Sequence, residues 1–275
     1  MPDASFTEFL HRATPGMVPV TREVVLDGDT PVSAFAKLHR GPYGFLLESL
    51  EGGERWARYT FLSTDPREVF RYHGRQVERW TSATGWQPLA TEASALDHMA
   101  VTMRRYPPVQ LPGLPRFTGG LVGYIGYDVV RTLERLPNAP PDDRQLPDAM
   151  LMLADTVLVL DNLFNRATII ANVEVAAGMP ESALAARYGA AVERIAEWLE
   201  RLQQPTSLRP LTLHPARPLP ATLSPSGEGQ YQAGVRKIQE YIAAGDTFQT
   251  VLSRRLDLAA PDPFLTYRYL RALNP

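Results

Sequence analysis

A hydroxyl at the end of an apolar run is the first side chain in this sequence that asks for a partner. The stretch Tyr43 to Leu50 reads as a strand, and the two-residue period puts Phe45, Leu47 and Ser49 on one face. A serine that follows two apolar residues on an inward face needs a hydrogen bond. It finds one locally, near the strand end before Gly52-Gly53, or in a ligand. Glu48 points to the opposite face and is the weaker candidate. Arg58 and Tyr59 fall on the next strand of the hairpin, Arg55 to Leu62. They either flank the same pocket or serve as an exposed charge and a packed ring. Gln249 lies in Thr247 to Leu258, which also reads as a strand, and shares a face with Val251, Ser253 and Arg255. Phe248, Leu252, Leu256 and Leu258 make the other face, the expected core face. By these residues alone, Gln249 is a half-exposed polar side chain of a strand.

Other chemistries find no footing. The glycines of Gly119-Gly-Leu-Val-Gly-Tyr-Ile-Gly126 have the wrong spacing for a dinucleotide fingerprint. Close backbone packing at a strand–helix junction is the better reading. There is no Walker A lysine and no nucleophile elbow. His11, His39, His73, His98 and His214 stand far apart, so no helical metal pair forms. Without cysteine there is no disulfide framework, Cys-zinc site or thiol nucleophile. Net charge is −2 with both signs mixed, which argues against nucleic acid as a partner. The start lacks the basic and apolar regions of a signal peptide. The most apolar stretch, Ala149 to Leu160, is broken by Asp155 and is too short for a bilayer, which takes roughly 20 residues. The expected location is the cytoplasm.

These residues need elements to hold them. Glu23 to Leu26 reads as a short strand. Thr30 then caps a helix with Pro31 at its first position, Val32, Phe35 and Leu38 on its inner face, and Gly41 at its end. Glu68 to Tyr72 and Gln76 to Trp80 read as strands around a His73-Gly74 turn. Glu92 to Tyr106 has Leu96, Met99 and Met103 at helical spacing. Met150 to Leu160 and Arg166 to Val175 read as paired strands. After Pro180, the residues Leu184, Tyr188, Ala191, Ile195, Trp198 and Leu202 form one apolar helical stripe. Prolines then crowd residues 203–230, which marks a linker between residues 1–202 and 231–275. Beyond it come a helix at Tyr231 to Ile242, the strand carrying Gln249, and a helix capped by Asp262 with Pro263 at its first position. A closing segment of only 45 residues buries too little surface to close a core alone, so it either packs onto the first domain or needs further chain.

Four stretches together resemble the large, chorismate-binding subunits of anthranilate synthases. They are Phe45-Leu-Leu-Glu-Ser49 with Gly52-Gly-Glu-Arg-Trp-Ala-Arg-Tyr-Thr-Phe61, Gly119 to Asp128 running on to Pro137, Ala243 to Arg254, and Asp262 to Pro275. Two departures are visible, Thr60 where relatives often have Ser, and Val159-Leu-Asp-Asn162 where they often have Phe-Asp-His.

The resemblance implies an α+β fold, with antiparallel sheets sandwiched between helices. It also implies that the chain stops early. Residues 1–202 would be the amino-terminal regulatory domain and residues 231–275 the start of a chorismate-binding domain. The magnesium ligands would then lie past Pro275, with none on this chain. The implied reaction makes anthranilate and pyruvate from chorismate and ammonia, the ammonia coming from a glutamine amidotransferase partner in a hetero-oligomer. L-tryptophan as feedback inhibitor would sit at Ser49, with Glu48, Arg58 and Tyr59 as further candidates. Relatives that add water to chorismate carry Lys at the position of Gln249. A lysine can take a proton from water and an amide cannot. Ammonia has its own lone pair, so Gln249 suits an ammonia-using enzyme. The large subunit of aminodeoxychorismate synthase is the nearest rival reading, and a non-catalytic amino-acid-binding module another.

Overall fold

A computed structural model describes residues 4–48, 58–89, 94–212, 228–255, 257 and 262–274. The chain divides into two compact units, Met1–Leu208 and Arg209–Pro275. In the first unit, α1 (Phe6–Arg12) precedes a long strand β1 (Gly16–Val25), α2 (Pro31–Leu38) and β2 (Gly44–Leu47). Then follow β3 (Tyr59–Thr64) and a meander of β4 (Glu68–His73), β5 (Gln76–Thr81) and β6 (Gly85–Leu89). Next come α3 (Ala95–Arg105), β7 (Gly120–Ile125) and a 3-10 turn (Tyr127–Thr132). The unit closes with β8 (Ala149–Ala154), β9 (Thr156–Asp161), β10 (Arg166–Val175) and α4 (Glu181–Gln203). The second unit contains α5 (Glu228–Ala244) and α6 (Pro263–Leu273).

Two five-stranded antiparallel sheets carry the first unit, in the orders β1-β10-β9-β3-β2 and β6-β5-β4-β8-β7. With helices against them, they make the expected α+β fold. The sheets meet through a cluster of Phe45, Val157, Val159 and Ile170 from the first, with Ala154, Met152 and Val122 from the second. Phe117 closes this layer, edge-on to Phe61 with ring centroids 5.4 Å apart. On the outer side of the first sheet lies α4, burying Leu184, Ala191, Ile195, Trp198 and Leu202. This is the predicted stripe. Tyr188 stays half-buried and donates its hydroxyl to the Ala4 carbonyl at 2.7 Å. Helix α3 covers the second sheet through Ala95 and Met99, against Phe70, Tyr72, Val77 and Leu151.

Local chemistry set several boundaries as expected. Thr30 caps α2 through a reciprocal bond with Ser33, with Pro31 in the first turn. Asp262 caps α6 by accepting from the Leu265 N–H at 2.8 Å. Other expectations need correction. The short strand at 23–26 is the end of a ten-residue strand from Gly16. Pro19 fits there because β1 is a sheet edge, where a missing N–H breaks no ladder. Helix α2 stops at Leu38, before Gly41, with His39 as its cap. The single strand at 150–160 is two strands in two different sheets, and the chain crosses between them at Asp155.

The strand expected from Thr247 to Leu258 is absent among the described residues. A strand needs a neighbour to take its backbone groups, and no described residue pairs with this segment. Its expected core face is open as well, with Phe248 93% exposed. No described helix is long and apolar enough to cross a membrane.

Candidate functional site

The register Leu47↔Phe61 and Phe45↔Ser63 places β2 at the edge of the first sheet, beside β3. Opposed residues share a face, so Phe45 and Leu47 lie with Phe61 and Ser63 on the side turned to the second sheet. Phe45 is buried there, but Leu47 is 48% exposed, because the edge outruns its cover. The inner face thus carries apolar side chains out to solvent at this end. Ser49 lies outside the described residues. Glu48 is half-buried directly after β2.

Arg58 and Tyr59 enter the structure at the start of β3. The Arg58 guanidinium grips Asp161, Nε at 3.1 and 3.0 Å from its two carboxylate oxygens and Nη2 at 2.6 Å from Oδ2. It also lies over the rings of Tyr59 and Phe164, at 4.8 and 5.0 Å. Burial pushes the Asp161 carboxyl up, but its bonds to Arg58 and to the Leu163 and Phe164 amides leave it below the usual carboxylate value. In this structure Arg58 braces the β9–β10 turn. Tyr59 packs beside Phe61, with centroids 6.1 Å apart, at the rim of the intersheet layer. The two residues are therefore joined, Arg58 as a charged clamp and Tyr59 as part of an apolar wall.

Gln249, in the other unit, is exposed. Its carbonyl accepts from the Thr247 hydroxyl at 3.0 Å.

The glycine run does what close packing requires. A side chain at Gly123 would place its Cβ 1.9 Å from the Met150 carbonyl oxygen. At Gly119, with φ of +149°, a Cβ would meet the Ala154 carbonyl at 2.6 Å and the Asn172 amide nitrogen at 2.7 Å. The Asn172 side chain needs that space. It donates to the carbonyls of Thr118 at 2.7 Å and Asp155 at 3.1 Å, while the Asn172 backbone N–H also reaches the Asp155 carbonyl, at 2.8 Å.

That clamp fixes Asp155 at the wall of a cleft of about 300 Å³ between α4 and the first sheet. Ala171, Ala190 and Ala191 leave the space, and Arg67, Arg187, Arg194, Asp155 and Glu174 line it. Glu174 holds Arg67 at 2.8 Å and Arg187 at 3.4 Å. Burial raises the Asp155 carboxyl above the ordinary aspartate value, against the pull of Arg194 and Arg67. Sequence reading passed over these residues. Two signals were present: an acid interrupting the most apolar stretch, and arginines seven positions apart on one helix with alanines between them.

Comparison with known proteins gives this geometry a setting. The family model of chorismate binding enzymes matches residues 45–275. Anthranilate synthase component 1 of Pseudomonas aeruginosa is 39% identical over 98% of this chain and 54% of its own length. The protein of that name from Acetivibrio thermocellus is 36% identical over 94% of this chain and 52% of its own. The crystal structure of anthranilate synthase component I from Streptococcus pneumoniae TIGR4 superposes with a TM-score of 0.61 over 92% of this chain and 53% of that one, at 24% identity, and so supports the fold. The chain spans about half the length of the curated relatives it matches. With the family model matched along most of its sequence, the chain belongs to the chorismate-binding enzymes and is similar throughout to anthranilate synthase component 1.

Proposed function

We propose that this chain is part of an anthranilate synthase large subunit, whose complete protein turns chorismate and ammonia into anthranilate and pyruvate. The observation that carries this reading is identity of 36–39% sustained over 94–98% of the chain with proteins of that name. A glutamine amidotransferase subunit would supply the ammonia. Magnesium would serve the reaction from residues past Pro275. Among the described residues, no group of three or more His, Asp or Glu side chains could hold a metal ion.

Two parts of the chain have roles in this reading. Gln249 stands where an amide offers no base to activate water, which favours ammonia as nucleophile. Feedback inhibition by L-tryptophan would use Ser49, with Glu48, Arg58 and Tyr59 about it. The half-exposed apolar edge of β2 and the Tyr59 ring supply apolar wall for an indole. Inhibition requires tryptophan to bind better to the conformation that handles chorismate poorly.

The test uses the complete protein with chorismate, magnesium and ammonium. Anthranilate and pyruvate in equal amounts are expected. Aminodeoxychorismate as the product would move the chain to the folate-pathway relative. In the same assay Ser49→Phe should keep activity and raise the tryptophan concentration for half inhibition at least about tenfold, a loss near 1.4 kcal/mol of binding. Inhibition unchanged in that variant would remove Ser49 from the tryptophan site.

A further inference from the structure

The cleft between α4 and the first sheet is built from charged groups that neither the chorismate reaction nor the β2–β3 hairpin uses. We propose that it is a binding site for a small oxyanion, a carboxylate or phosphate group held by Arg194 with Arg67 and Arg187. Four observations carry this.

The first is charge: three guanidiniums face two carboxylates around one cavity. The second is the state of the donors. Arg67 uses Nη2 on Glu174, and Arg187 uses Nη1 on the Glu174 carboxylate and, at 2.6 Å, on its carbonyl. A guanidinium has five N–H donors in a planar fork, so each keeps donors for a ligand. Arg194 makes no hydrogen bond or ion pair among the described residues, although it feels Asp155 across the cleft.

The third is space. Ala190 and Ala191 lie between Arg187 and Arg194 on α4, and Ala171 faces them from β10, so the floor is shallow and apolar. About 300 Å³ lies at the small end of ligand pockets, which run from roughly 300 to 1,000 Å³. A small ion fits it and a large ligand does not. The fourth is rigidity. Glu174 holds the Arg67 and Arg187 guanidiniums at the cleft, and Asn172 fixes the Asp155 backbone carbonyl beside it. Oxyanions are bound best by donors that are already in place.

When ionised, the Asp155 carboxylate competes with the ligand for Arg194 and Arg67. That gives two variants with opposite signs. Backbone amide shifts of Asp155, Thr156, Asn172 and Ala191 would be followed by NMR in the 275-residue chain, with inorganic phosphate and, separately, acetate as the probes. Saturable shifts at one site are expected. Arg194→Gln should weaken binding at least about tenfold, and Asp155→Asn should tighten it several-fold, since the competing charge is gone. Saturation by both probes supports a site for oxyanions in general, and saturation by phosphate alone supports one for phosphate groups. Shifts that never saturate overturn the proposal. So does phosphate affinity untouched by both variants, which would mean an adventitious ion only. Should Arg194→Gln fail to fold, the sign of the Asp155→Asn effect still decides.

Discussion

At the scale of single residues, burial decides chemistry more than residue type does. His98 was one of five scattered histidines by sequence. In the fold its Nδ1 lies 2.9 Å from the Tyr72 hydroxyl, under α3. Burial lowers its pKa from the ordinary 6.5, with Glu68 pulling the other way. His39 is lowered for the same reason, with Asp65 opposing. The sign for stability follows from linkage. As pH falls through 6.5, the unfolded chain takes up a proton that the folded chain still refuses. Stability is therefore full above that value and declines as pH drops toward the lower folded pKa. Compared with the parent chain, His98→Asn should lose less of its urea midpoint between about pH 7.5 and about pH 5.5, leaving the part due to His39. An equal fall in the variant would remove His98 as a cause. Arg58 teaches a related point. Its nearness to the β2–β3 hairpin was an expectation from chain order, whereas its partner Asp161 lies 103 residues away and was not legible.

At the scale of elements, the glycine run and α4 make opposite predictions. Gly123→Ala drives a methyl group into the Met150 carbonyl of the neighbouring strand, since β7 and β8 pair there. The backbone must move, at a cost of about 3 kcal/mol, read as a lower denaturant midpoint. Gly189 lies inside α4 with nothing within 4 Å of a Cβ placed there. Gly189→Ala should stabilise by roughly 0.5–1 kcal/mol, because alanine loses less backbone freedom in a helix. A stabilised Gly123→Ala would mean that the close approach of β7 and β8 is wrong. Trp198→Ala tests the helix face itself. Trp198 is 1% exposed, and its loss should cost about 3–5 kcal/mol. The stripe holding Trp198 was legible because helical period survives any tertiary arrangement. The break at Asp155 was noticed only as an interruption, because local pattern does not say which sheet a strand joins.

At the scale of the whole molecule, both sheets and the helices that cover them belong to Met1–Leu208. All ten strands among the described residues find their neighbours within it. A chain ending at Leu208 should therefore unfold in one cooperative thermal transition, followed by the combined fluorescence of its four tryptophans. A gradual loss of signal would mean that this unit needs residues beyond 208. The purified 275-residue chain should form no anthranilate with chorismate, ammonium and magnesium. Turnover by that chain would overturn the placing of the reacting groups past Pro275.

The sequence by itself determined the capped helix starts at Thr30 and Asp262, the buried stripe of α4, most strands of the meander and the family. Each of these is written in neighbouring residues, through capping groups, periodicity or motif order. Only the tertiary structure decided that Asp155 marks a crossing between sheets and that Gly119 leaves room for Asn172. It alone gathered Arg67, Asp155, Glu174, Arg187 and Arg194 around one cleft. Such meetings depend on strand pairing between distant residues, and pairing is fixed by the burial of whole faces rather than by any local signal. The segment from Thr247 shows the reverse case. Its alternation promised a strand, but alternation cannot supply the neighbouring backbone that a strand needs to form.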